Sequence, residues 1–81
     1  MEEIIVDGYN LIHAGEETRA LARWDLESAR ERVIGDLAEF AALEDIKVEV
    51  VFDAGGSEGM ENRFRPTPLL TVTYTGKGES A

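Results

Sequence analysis

The chain has 81 residues, no cysteine and a formal net charge of −9. That length allows one small domain with a modest core, and the lack of thiols excludes a disulfide framework and a thiolate metal site. The acidity argues against a general nucleic-acid-binding surface, which shows a basic face, but it does not exclude a nuclease, because carboxylates gathered around a cation reverse the local field. Met1-Glu2-Glu3 lacks the basic segment of a secretory leader, and no apolar run approaches the roughly 18 residues of a membrane span. A soluble chain in a reducing, cytoplasmic setting is expected.

Ile4-Ile5-Val6 is a short β-branched run ending at Asp7 and Gly8. Its continuous apolar character predicts a central parallel strand. Residues 8–17, with Gly8, Asn10 and Gly15, read as a loop held down by Tyr9, Leu11 and Ile12. Thr18 to Trp24 predicts a short helix with Leu21 and Trp24 on one face. Asp25 is placed as the N-cap of the next helix, with Ser28 as the alternative. From Leu26 to Leu43 the apolar residues Leu26, Ala29, Val33, Leu37, Phe40 and Ala41 follow the spacing of one helical face. Glu27, Arg30, Glu31, Asp36 and Glu39 read as the solvated face.

Ile46 to Phe52 predicts a second strand, ending at Asp53. Strand, helix and strand in this order make a parallel pair with a right-handed crossover. Residues 54–68, punctuated by Gly55, Gly56, Gly59, Pro66 and Pro68, read as a long loop. Leu69 to Thr75 predicts a third strand. Residues 76–81 look like a loop running into a helix start, with Ser80 as a cap. Three such strands and one long helix cover one face of a sheet, whereas parallel sheets are covered on both. The chain therefore reads as an interrupted α/β domain.

Asp7 and Asp53 each follow an apolar strand directly. In an open parallel sheet the C-terminal strand ends form the crevice where ligands bind. Two carboxylates brought together there repel unless a proton or a cation lies between them. Hard oxygen donors of this kind suit Mg²⁺ or Mn²⁺, which activate water and stabilise a leaving oxygen in phosphodiester hydrolysis. Either aspartate alone also serves as a turn former or helix cap, so the argument rests on the pair. Asn10 has three candidate uses: a phosphate or metal-bound water, the Asp7 carboxylate, or an Asx-turn. Gly8 permits a positive φ or close approach of a ligand. Glu79, beyond the third strand, is a candidate third carboxylate or part of a polar terminus. Arg63 and Arg65, the close basic pair of the long loop, are candidates for RNA phosphates or plain surface. His13 is a candidate proton shuttle or a bystander. Gly55-Gly56-Ser57-Glu58-Gly59 lacks the Gly-Lys-Ser/Thr ending of a nucleotide-binding P-loop.

Ile4-Ile5-Val6-Asp7-Gly8-Tyr9-Asn10-Leu11-Ile12 resembles the opening of YacP-like NYN domains. Val50-Val51-Phe52-Asp53-Ala54 resembles their second motif, and Val72-Thr73-Tyr74-Thr75 with Gly78-Glu79-Ser80-Ala81 resembles their third strand and the start of the third motif. The three occur in the family's order and spacing along essentially the whole chain. The resemblance implies a PIN-like α/β fold with crossover helices, here about three strands and one long helix, and metal-dependent endoribonuclease activity using Mg²⁺ or Mn²⁺. It implies single-stranded messenger RNA as substrate, with the ribosome as a partner in one branch of the family. Asp7, Asp53 and Glu79 would be acidic metal-site residues and Asn10 a site organiser. In the family an aspartate typically follows the position of Ala81, and further elements complete the sheet. Residues 1–81 thus resemble the N-terminal part of a single domain, weak or inactive by itself. Two other functions stay open: a non-catalytic module that binds RNA, the ribosome or a protein, and a fragment that forms a homo-oligomer through its uncovered sheet.

Overall fold

The computed structural model describes residues 2–53 and 61–75. The elements run β1 (Glu3–Asp7), α1 (Gly8–Ala14), α2 (Glu16–Trp24), α3 (Leu26–Glu44), β2 (Lys47–Asp53), β3 (Asn62–Thr67) and β4 (Leu70–Thr75). The strands form one sheet in the order β1-β2-β4-β3. β1, β2 and β4 are parallel, and β3 pairs antiparallel with β4 at the edge.

The α/β class and the parallel β1–β2 pair agree with the sequence reading. β1, expected as a central strand, stands instead at an edge of the described sheet, and two segments also differ. Residues 8–17 are not a loop but α1 and the start of α2. The Asp7 side chain caps α1 by accepting from the Asn10 backbone N–H at 3.1 Å. Residues 54–68 are likewise not all loop: Asn62–Thr67 form β3, so the sheet has four described strands rather than three, and α1 is a described helix beyond the short and the long one expected. Pro66 sits in that strand because β3 is at the edge, where a missing N–H costs no ladder bond. A register shift between Phe64 and Thr67 accompanies it.

α3 starts where its cap predicts. Asp25 Oδ1 accepts from the Ser28 backbone N–H at 3.3 Å, and Oδ2 accepts from the Ser28 hydroxyl at 2.8 Å. The helix ends at Asp45, whose φ of 57° is left-handed. The bend between α1 and α2 is fixed by buried Thr18, whose hydroxyl lies 2.8 Å from the Ile12 carbonyl oxygen and 3.2 Å from that of Gly15.

One face of the sheet carries the core. Val48, Val50 and Phe52 of β2 and Leu70 and Val72 of β4 pack against Ile12 of α1 and Ala29, Val33 and Ala41 of α3. Trp24 does not join Leu21 there; it is 88% exposed. The alternation along β2 is that of a strand covered on one side. On the other face stand Glu3, Ile5, Lys47, Glu49, Thr71 and Thr73, with no described helix over them. Thr73 is nevertheless buried, because Arg63 and Glu49 close over it. Among the described residues no helix is long and apolar enough to cross a membrane.

Candidate metal centre

Asp7 ends β1 and Asp53 ends β2, both exposed. The strands are neighbours, and Asp7 stands opposite Val51. Asp53 is two residues further along, so strand rise and spacing put the two Cα atoms about 8 Å apart. Val51 and Asp53 have the same parity in β2, which gives both aspartates the same side of the pleat. Thr75 stands opposite Asp53 at the end of β4 and adds a hydroxyl to that edge. The C-terminal rim of three parallel strands thus carries two carboxylates and a hydroxyl.

The local structure explains the motif around Asp7. One of its oxygens caps α1, and the rest of its lone pairs stay at the rim. Gly8 does not take a positive φ, but it leaves room for Phe52. A Cβ there would lie 2.4 Å from Phe52 Cε1 and 2.5 Å from Cδ1. Tyr9 meets the same ring edge-on, with centroids 5.3 Å apart. Asn10 is exposed, and its backbone N–H completes the cap. His13 is in the last turn of α1, at the far end from Asp7, and its carbonyl accepts from Arg19.

A third acid is not found at this rim among the described residues. Among the described residues no group of three His, Cys, Asp or Glu side chains is placed to hold a metal. Glu79 lies outside the described residues. The donor set still fits Mg²⁺ or Mn²⁺, which bind through one or two carboxylates and fill the other positions with water and phosphate oxygens.

Arg63 and Arg65 lie on strand β3 rather than in a loop. Arg63 is neutralised on the open face by Glu61 at 3.1 Å and Glu49 at 3.9 Å, and its Nε donates to the Thr73 hydroxyl oxygen at 3.3 Å. Arg65 donates to the Pro68 carbonyl at 2.7 Å. It lines a shallow hollow with Glu3, Lys47 and Leu69, where the parallel strands begin. The structure therefore does not bring Arg65 to the aspartate rim.

Arg30, read from the sequence as part of the solvated face, is half-buried instead. Its Nη1 donates to the Tyr9 hydroxyl at 3.4 Å, and its guanidinium lies 5.7 Å from the Tyr74 ring centroid. The signal was present: Arg30 is four residues after Leu26 and three before Val33, on the apolar stripe. Tyr74 stacks on Phe52 at 5.4 Å and on Phe64 at 6.1 Å.

Comparison with known proteins agrees with the motifs. The family model described as YacP-like NYN domain matches residues 4–81. A relative from Bacillus subtilis (strain 168), "Uncharacterized protein YacP", is 33% identical over 81 residues, which is 100% of this chain and 47% of the relative. The chain therefore spans about half the length of the curated relative it matches. No solved structure matches.

Proposed function

Because the chain belongs to the YacP-like NYN domain family, we propose that it supplies the N-terminal part of a metal-dependent endoribonuclease domain. The observation that carries this reading is the register that puts Asp7 and Asp53 at neighbouring strand ends, on one side of the pleat. Asp7 and Asp53 would hold Mg²⁺ or Mn²⁺, with Glu79 as a further acid. When bound, such an ion lowers the pKa of a coordinated water and neutralises charge on the phosphate. The chain's own residues fix the geometry: Asn10 holds Asp7 through the helix cap, and the Gly8–Phe52 contact sets where β1 turns into α1. The substrate is single-stranded RNA, with messenger RNA at the ribosome, in the cytoplasm, as the setting the family resemblance implies. With two described carboxylates at the rim, the 81 residues alone are expected to cleave weakly or not at all.

A Mn²⁺ titration tests this. Asp7→Asn keeps a good helix cap while removing the charge, so it should lower Mn²⁺ affinity without lowering the melting temperature. Asp53→Asn should lower affinity similarly. Unchanged affinity in both variants would sink the metal-site reading. A second reading, self-association through the open sheet, is favoured by Ile5, which is 71% exposed on β1. Light scattering at micromolar concentration separates the two, since a clean monomer removes it.

A further inference from the structure

The aromatic side chains on the helical side of the sheet form a row. Tyr9, Phe52, Tyr74 and Phe64 contact one another in sequence, with successive centroids 5.3, 5.4 and 6.1 Å apart. The last two contacts are near-parallel stacks, with interplanar angles of 21° and 17°. The row begins beside Asp7 and ends on β3, the edge strand. Phe52 is fully buried, but Phe64 at the end is 46% exposed. Phe64 stands next to Tyr74 on the edge strand and is about half open to solvent. Arg30 places a guanidinium against the same row at Tyr74.

We propose that Phe64 is a base-stacking residue, continuing the aromatic row with one nucleobase of a single-stranded RNA whose backbone runs on to the Asp7–Asp53 rim. This rests on the nuclease reading above and adds to it the position of a nucleotide away from the cleaved bond. Single strands are bound by aromatic faces that accept any base, aided by arginine next to the rings. The geometry has both. Strand spacing puts the Phe64 Cα about 14 Å from the Asp53 Cα, a distance that a short stretch of single strand bridges. An overall charge of −9 requires that non-electrostatic contacts carry much of the binding. A stacked base is such a contact, because its strength does not depend on a basic surface.

The test uses a labelled oligouridylate of about 12 nucleotides, within the site sizes common for such proteins. Anisotropy should show Phe64→Ala weakening binding by roughly fivefold to a hundredfold, the loss of one stacked base. Phe64→Trp should retain binding. With Trp24→Phe removing the one native indole, which is 88% exposed, the Phe64→Trp variant should be quenched as RNA binds. An oligomer with abasic sites should bind the unmodified chain and Phe64→Ala equally weakly, a result that a purely structural role for Phe64 would not produce. Binding with no quench and no loss in Phe64→Ala overturns the stacking proposal and leaves the nuclease reading standing. A loss of protein association in Phe64→Ala with RNA binding unchanged also overturns it, and assigns the ring to a protein contact. Absence of RNA binding by the unmodified chain, with Mn²⁺ binding intact, overturns the proposal together with its RNA premise.

Discussion

Gly8→Ala is the smallest change that bears on the candidate site, and its cost can be worked from the structure. The added methyl would lie 2.4, 2.5 and 2.9 Å from three atoms of the Phe52 ring, against a carbon–carbon optimum of about 3.5–4.0 Å. The ring has little room to retreat, since it is fully buried with Tyr9 on its edge and Tyr74 stacked beside it. Forcing an extra methyl into a packed core costs about 1–3 kcal/mol. The gain in helix propensity on replacing glycine offsets at most about 1 kcal/mol, and less at the first position of α1. A net loss of about 1–2 kcal/mol follows, which for a domain of this size lowers the melting temperature by about 5–15 °C. Far-UV circular dichroism during heating measures it. The same substitution in a Phe52→Leu background should cost less, because the planar ring that blocks the methyl is gone, and the cycle should show a coupling of about 1 kcal/mol. A melting temperature equal to or above that of the unmodified chain, or equal costs in both backgrounds, would refute the packing argument.

Asp25 is held below the usual aspartate range, first by the Ser28 hydroxyl and then by the Ser28 backbone N–H. Its folded pKa is depressed, so its contribution is present above the unfolded value of about 4 and is lost as pH falls through the folded one. Asp25→Asn, a cap that does not titrate, should therefore flatten urea-measured stability on the acid side, and an unchanged acid slope would refute this. Asp45→Gly should stabilise by about 0.5–1 kcal/mol, because glycine has no Cβ penalty at a left-handed C-cap. The urea midpoint should rise at constant m-value, whereas Asp45→Ala should lower it.

What the sequence showed and what it hid differ for physical reasons. α3 was legible because its cap and apolar stripe repeat over five turns' worth of periodic contacts. β1 and β2 were legible because β-branched runs ended at aspartates. α1 was hidden because Gly8 and Asn10 suit a turn as well as they suit a first helical turn, and the deciding contact, Phe52 against Gly8, lies far along the chain. β3 was hidden because Pro66 and two arginines look like a loop, and only the edge position accommodates them. At the candidate site the two aspartates were readable from their strand ends. Arg30 was misread because its charge outweighed its place on the apolar stripe, and the row from Tyr9 to Phe64 crosses elements that no local window joins.

β1 meets β2 only after the chain has passed through α1, α2 and α3. Helices assemble from near neighbours, whereas a parallel pairing of this kind waits until the intervening chain has been closed. Asp7 and Asp53 are thus far apart in the unfolded chain and stand on neighbouring strands only in the folded one. A cation that needs both would recognise the native state alone. At a free concentration a hundredfold above its Kd it would add about 2.7 kcal/mol to the stability of the fold. Melting temperature followed against cation concentration would then report occupancy of the site with no substrate present, so that the thermometer serves as the binding assay.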